Sequence, residues 1–198
     1  MTPLTYALLL ANLAMFVLEA QLGNAFITPL VLWPFGAGFH VWQLLTSAFL
    51  HGSLAHLATN MFGLWMFGRP VERALGSSRF LILYTASLAT AAATQLLVTS
   101  LLPGKVPTLG ASGAVFGVLA AFAMLYPNHT VMLLFPPIPM RARTFVFLYA
   151  LLELFSGVTG TQPGIAHFAH LGGLAGGVLL LRHWRRRGRA AAHGRGNW

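Results

Sequence analysis

Long stretches without charge constrain this chain more than any other feature. Residues 1–68 hold one formal charge, Glu19; 80–104 and 106–140 hold none; 144–181 hold only Glu153. With 12 Lys and Arg and 3 Asp and Glu in 198 residues, the chain falls far short of the roughly one quarter of charged residues that cover a soluble domain. A bilayer core is crossed by about 20 apolar residues in a helix, so an all-α polytopic membrane protein is expected. The net charge of +9 does not argue for nucleic acid. Its basic residues lie between apolar spans and in 182–195, where they read as a topology signal and as attraction to anionic lipid. The chain has no cysteine, which excludes thiol catalysis and disulfides.

Prolines and glycines divide the apolar sequence into six spans. The first covers about 4–22 and, lacking a basic flank, reads as a retained helix rather than a removed signal peptide. The second covers 53–67 and ends near Arg69-Pro70. The third covers 79–101 and is closed by Pro103-Gly104. The fourth starts near 110–112 and stops before Pro127. The fifth covers about 144–155 and the sixth 163–181. The fifth is short and carries Glu153, so it is expected to tilt, to thin the bilayer or to borrow residues from the connector 128–143, which contains Pro136, Pro137 and Pro139. Between the first two spans, residues 23–49 are apolar but broken by Pro29, Pro34, Gly36 and Gly38. With Trp33 and Trp42 among them, they read as an interfacial loop rather than a crossing. The expected organisation is a six-helix domain over 1–184 and a basic cytoplasmic tail over 185–198, with no further domain. With six crossings, Arg69, Arg73, Arg79, Arg141, Arg143 and the tail share one side and Lys105 lies opposite. That asymmetry predicts cytoplasmic termini, and the short outer loops fit a bacterial inner membrane.

Polar groups within apolar spans need a reason. His51, His56 and Asn60 open the second span, Ser112 opens the fourth, and His167 and His170 come early in the sixth. These three spans run in the same direction, so all three sets fall in the outer half of the bilayer, where one shared cavity would explain them. Ser112 stands in Gly110-Ala111-Ser112-Gly113. At a helix N-terminus it has unsatisfied N–H groups ready for an oxyanion, although Gly113 and Gly117 equally suit close helix packing. The segment departs from the G-x-S-x-G elbow of soluble hydrolases because Ala114 takes the last glycine position. His170, beside Gly173 and Gly177, could approach the serine as its base or serve as a structural histidine. His167, one turn earlier, is read as a helper or packing residue. His56 and Asn60 share a helix face and suit either an oxyanion site or interhelical hydrogen bonds. His40 and His51 add to a possible metal set. However, there is no Asp, no H-E-x-x-H, and neither Glu19 nor Glu153 has a histidine at ligand spacing. No metal or other cofactor is expected.

Taken in order, His51-(x4)-His56-(x3)-Asn60, Gly110-Ala111-Ser112-Gly113 and Ala169-His170-(x2)-Gly173-(x3)-Gly177 resemble the rhomboid intramembrane serine proteases over about residues 4–181. The segment Val71-Glu72-Arg73-Ala74-Leu75-Gly76-Ser77 is also rhomboid-like. The resemblance implies a six-helix bundle in which Ser112 and His170 act as a dyad, with Glu19 or Glu153 at most distant modulators. It implies an oxyanion hole of His56, Asn60 and the Ser112 N–H, and Phe116 packed on the catalytic imidazole. Transmembrane proteins would be the substrates, cut near the outer side of the bilayer. The alternatives are a catalytically silent relative that binds transmembrane clients and, further off, a small transporter. One departure stands in the loop: Trp42-Gln43 replaces the family's frequent Trp-Arg, so loop stability is expected to rest on Trp42 and the surrounding aromatics.

Overall fold

The computed structural model describes residues 1–101, 106–132, 137–161 and 164–194, with side chains as far as Arg187. Pro103, Gly104, Lys105, Pro136, Pro163 and Arg195, on which some of the sequence expectations fall, lie outside that set.

The chain is mostly helical. Helix α1 (Pro3–Leu22) ends at Gly23, whose φ of 68° turns the chain out of the helix. Residues 23–53 form no crossing helix, only α2 (Asn24–Ile27), α3 (Gln43–Thr46) and a 3-10 turn at Ser47–Phe49. Helix α4 (Leu54–Gly63) is capped by Ser53, whose hydroxyl accepts from the His56 N–H at 3.1 Å. It passes through a π turn (Leu64–Gly68) directly into α5 (Arg69–Leu75). The expected stop at Arg69-Pro70 is therefore corrected. Pro70 stands in the first turn of α5, where its missing N–H costs little, and the wider π winding carries the helix across it. Helices α6 (Ser77–Leu101) and α7 (Ser112–Leu125) lie where the third and fourth spans were expected.

Three further corrections follow. The connector contains a short antiparallel hairpin, β1 (Thr130–Met132) paired with β2 (Pro139–Arg141), so the fold is not wholly α. Helix α8 (Ala142–Thr159) outgrows the short fifth span at both ends, because nothing between Thr144 and Gly157 breaks it and Gly160, with φ of 69°, ends it. Helix α9 (His167–Gly194) runs on through most of the basic tail, whose Arg and Ala residues are strong helix formers.

Helices α1, α6 and α8 are long and apolar enough to cross a membrane. Large apolar side chains cover their outer faces, among them Leu13, Ile82, Leu97, Leu151 and Phe155. Helix α7 is the centre of the bundle, with every residue from Gly113 to Ala123 buried. It meets α6 and α9 along a seam of small residues. A Cβ at Gly113 would strike Ala91, and one at Gly117 would strike Ser87. On α9, Gly173 and Gly177 face the backbones of Gly113 and Gly117, while Gly172 and Gly176 face Thr94 and Thr90. Without a hydrophobic force between helices in lipid, such contacts hold a membrane bundle together. Here they also set the spacing of α7 and α9, which carry Ser112 and His170.

Candidate active site

Ser112 is the first residue of α7, so its backbone N–H has no acceptor within the helix. Gly110 has φ of 124° and its N–H donates to the Ser47 carbonyl at 2.8 Å. That bond anchors the approach to the helix. A Cβ at Gly110 would lie 2.8 Å from Nε2 of His56 and 3.7 Å from Oγ of Ser112. Glycine is therefore demanded by conformation and by space, and His56 and Ser112 share it as a neighbour.

The close approach of α7 and α9 brings His170 Nε2 to 2.8 Å from Ser112 Oγ. Phe116, one turn into α7, stacks on the His170 ring with centroids 4.3 Å apart and planes 8° from parallel. Its other neighbour is Tyr149 of α8, at 5.0 Å. His170 is thus held by a hydrogen bond at its edge and a ring on its face. His56 lies half-buried on α4. Asn60, a turn further and buried, donates one amide N–H to the His56 carbonyl at 3.1 Å, leaving a second N–H free of that bond. His51 packs edge-on to His56 at 5.1 Å, and its backbone N–H donates to the Glu19 carboxylate at 3.1 Å. Glu19 therefore fixes the entry to α4 from α1.

Glu153 is the residue that sequence reasoning undervalued. Read there as a distant modulator, it stands in direct contact: its Oε2 lies 2.9 Å from Nδ1 of His170 and 2.7 Å from Nδ1 of His167. His167, read as a helper or packing residue, directs its Nε2 at the Thr161 carbonyl at 3.2 Å. The available signal was that Glu153 is the lone ionisable carboxyl within an apolar span of 144–181.

The fold also corrects the spacing argument about metal ligands. Glu153, His167 and His170 offer ligand atoms within 4.8 Å of one another, although no sequence motif joins them. Tetrahedral zinc with bonds of about 2.0–2.1 Å sets its ligand atoms about 3.3 Å apart. The 2.7 and 2.9 Å separations are those of hydrogen bonds.

A helical membrane bundle with a serine and a histidine in hydrogen-bond contact at the head of its central helix defines the class. The Rhomboid domain profile matches residues 38–187, and the chain belongs to the rhomboid family. It is 36% identical over 139 residues to the mitochondrial rhomboid protein 1 of Saccharomyces cerevisiae, covering 69% of this chain and 40% of that protein. It is 35% identical over 138 residues to the rhomboid protease GluP of Bacillus subtilis, covering 70% and 25%. Against the rhomboid protease GlpG of Klebsiella pneumoniae it is 27% identical over 189 residues, covering 90% and 62%. The chain therefore spans less than two thirds of the length of each of these relatives. Membership and the apolar helices make it an integral membrane protein.

Proposed function

We propose that this protein is an intramembrane serine endopeptidase that cleaves transmembrane proteins near the outer face of the bilayer. The observation that carries the reading is the 2.8 Å contact between His170 Nε2 and Ser112 Oγ at the N-terminus of a fully packed helix. His170 takes the Ser112 proton as the hydroxyl oxygen attacks the scissile carbonyl, giving a tetrahedral oxyanion. The Ser112 N–H, His56 and Asn60 stabilise that oxyanion. The proton then passes from His170 to the leaving amine, and a water molecule activated in the same way releases the acyl group from Ser112. Gly110 and Gly173 provide the close approaches this requires, Phe116 orients the imidazole, and His167 supports it.

The orientation follows from where the charges gather. Arg69 lies over the rings of Tyr6 and Trp65, Arg79 over Trp184, and Arg185 donates to the Met124 carbonyl. These cations mark the end of the bundle where α1 begins and α7 finishes, opposite Ser112. Under the positive-inside rule that end is cytoplasmic. This supports six crossings with both termini inside and residues 23–53 lying in the outer interface. We assign residues 1–184 to the protease domain and 185–198 to a basic cytoplasmic extension, in a membrane such as the bacterial inner membrane. The bilayer and single-span substrate helices are the partners.

The test is made on protein reconstituted in liposomes, with a model single-span substrate and a fluorophosphonate probe. Wild type should cleave the substrate and take the label on Ser112, and Ser112→Ala should do neither. Labelling without cleavage of any tested transmembrane helix would favour a client-binding relative. Absence of both from folded wild type would refute the hydrolase reading and turn attention to transport.

A further inference from the structure

We propose that Glu153 is a positioning residue for His170, so that a four-residue hydrogen-bonded chain, Ser112–His170–Glu153–His167, replaces a simple dyad. The proposal rests on the hydrolase reading above and deepens it. Glu153 lies on the inner face of α8, in line with Val146 and Ser156, and is only 5% exposed. An unpaired carboxylate there would be costly, and a paired one needs well-made hydrogen bonds. The fold supplies two, both to the same oxygen, from histidines spaced i and i+3 on the facing helix.

The acceptors assign the protons. An ionised carboxylate only accepts, so Nδ1 of His170 carries its hydrogen, and in the neutral ring Nε2 then presents its lone pair to the Ser112 hydroxyl at 2.8 Å. That is the tautomer a general base must hold. A histidine without such a partner divides its time between two tautomers, and only one of them can accept the serine proton. His167 sets one nitrogen against the Glu153 carboxylate and the other against the Thr161 carbonyl, and so holds the carboxylate in place beside His170. When His170 takes the serine proton, the carboxylate 2.9 Å away stabilises the imidazolium. Glu153 touches no substrate in this scheme. It acts through His170.

The experiment compares wild type, Glu153→Gln, Glu153→Asp and Ser112→Ala in liposomes. It measures kcat and KM for the model substrate, the fluorophosphonate labelling rate, and the thermal midpoint. Glutamine keeps the size of the side chain but can turn its NH2 toward Nδ1, which forces the wrong tautomer. Glu153→Gln should therefore lower kcat and the labelling rate together, by on the order of 10²- to 10⁴-fold, with KM unchanged. Glu153→Asp should recover part of the loss, at the same or a lower thermal midpoint. Three results would overturn the proposal: a kcat within about threefold of wild type in Glu153→Gln, a loss that tracks the folded fraction, or one carried by KM. Wild-type activity lost to a chelator and restored by zinc would also overturn it, in favour of a metal held by Glu153, His167 and His170. Full activity in Ser112→Ala would instead strike down the hydrolase reading itself, so the two failures are told apart.

Discussion

Replacing Gly173 with alanine would drive a methyl group into the backbone of the neighbouring helix. The new Cβ would overlap the Gly113 carbonyl oxygen and lie 2.7 Å from its carbonyl carbon and 3.1 Å from its Cα. No side chain can rotate away to relieve this, because the three nearest atoms are all main chain. Ordinary contacts between heavy atoms are about 3.5–4.0 Å, so α7 and α9 must part by on the order of 1 Å. Gly113 adjoins Ser112, and Gly173 stands one turn after His170. The separation therefore falls on the 2.8 Å bond between them and stretches it to the edge of hydrogen bonding, near 3.5 Å. A misplacement of that size costs on the order of 10²-fold in rate, and overpacking costs about 1–3 kcal/mol in stability. The assay is the fluorophosphonate labelling rate of reconstituted protein, with the thermal midpoint measured alongside. Gly52→Ala is the control, since a methyl there meets nothing nearer than Leu109 Cδ1 at 3.9 Å. A folded Gly173→Ala protein that labels within about threefold of wild type would show that the glycine seam does not set the catalytic distance.

Two predictions concern the ends of the bundle. Glu72, beyond the second span, accepts from the Leu4 N–H at 3.0 Å, the Thr5 N–H at 2.8 Å, the Thr5 hydroxyl at 2.6 Å and the Ser77 hydroxyl at 2.7 Å. Glu72→Gln should therefore cost roughly 2–4 kcal/mol of stability in detergent, read from the thermal midpoint. Burial alone would raise the Glu72 pKa, but the hydrogen bonds from Thr5, Ser77 and Leu4 outweigh it and hold the carboxyl below its ordinary range. Its contribution is thus fully present above about pH 5 and is lost as the pH falls through the depressed folded value. The gap between wild type and Glu72→Gln should close on acidification, and a gap that widened would refute the assignment. Gln43 is buried, accepts from the Trp33 and His40 N–H groups and donates to the Pro29 and Gly38 carbonyls. Gln43→Leu should speed proteolytic cutting within residues 23–53 at least severalfold while α4–α9 stay folded, and unchanged cutting would assign the loop's order to its aromatics.

The parts of this architecture legible in the sequence were those governed by local chemistry. Charge-free length marked the helices, and Gly-Ala-Ser-Gly marked a helix start that a nucleophile could use. Gly113 with Gly117, and Gly173 with Gly177, marked two faces able to approach closely, and the fold sets those faces against each other. What stayed hidden depends on how distant elements meet. Glu153 and His170 belong to different helices, and no periodicity says that the inner face of α8 points at the start of α9. The continuation through Pro70 was hidden because proline is a breaker only in a regular α-helical interior, and Pro70 lies just after a π turn, at the start of α5. The part Gln43 plays is hidden for a third reason. A neutral amide can both donate and accept, and so satisfies four backbone groups where the guanidinium of the family's frequent arginine could serve only acceptors. The expected reliance on Trp42 is met in part, since its indole N–H donates to the Pro29 carbonyl at 3.0 Å and its ring stacks on His40.

The π turn at Leu64–Gly68 also fixes a phase. Each residue of an α-helix advances its side chain by about 100° around the axis, and a π turn holds roughly one residue more than the winding around it. The residues after Gly68 are therefore rotated relative to those before it. His56 at one end of this continuous rod borders Gly110, as Ser112 does, and Glu72 at the other faces the first turn of α1. Residues can be added or removed in a surface loop with little effect, but between His56 and Glu72 the residue count is a torsional setting. A single deletion there would swing the carboxylate off the α1 amides or the imidazole away from Gly110.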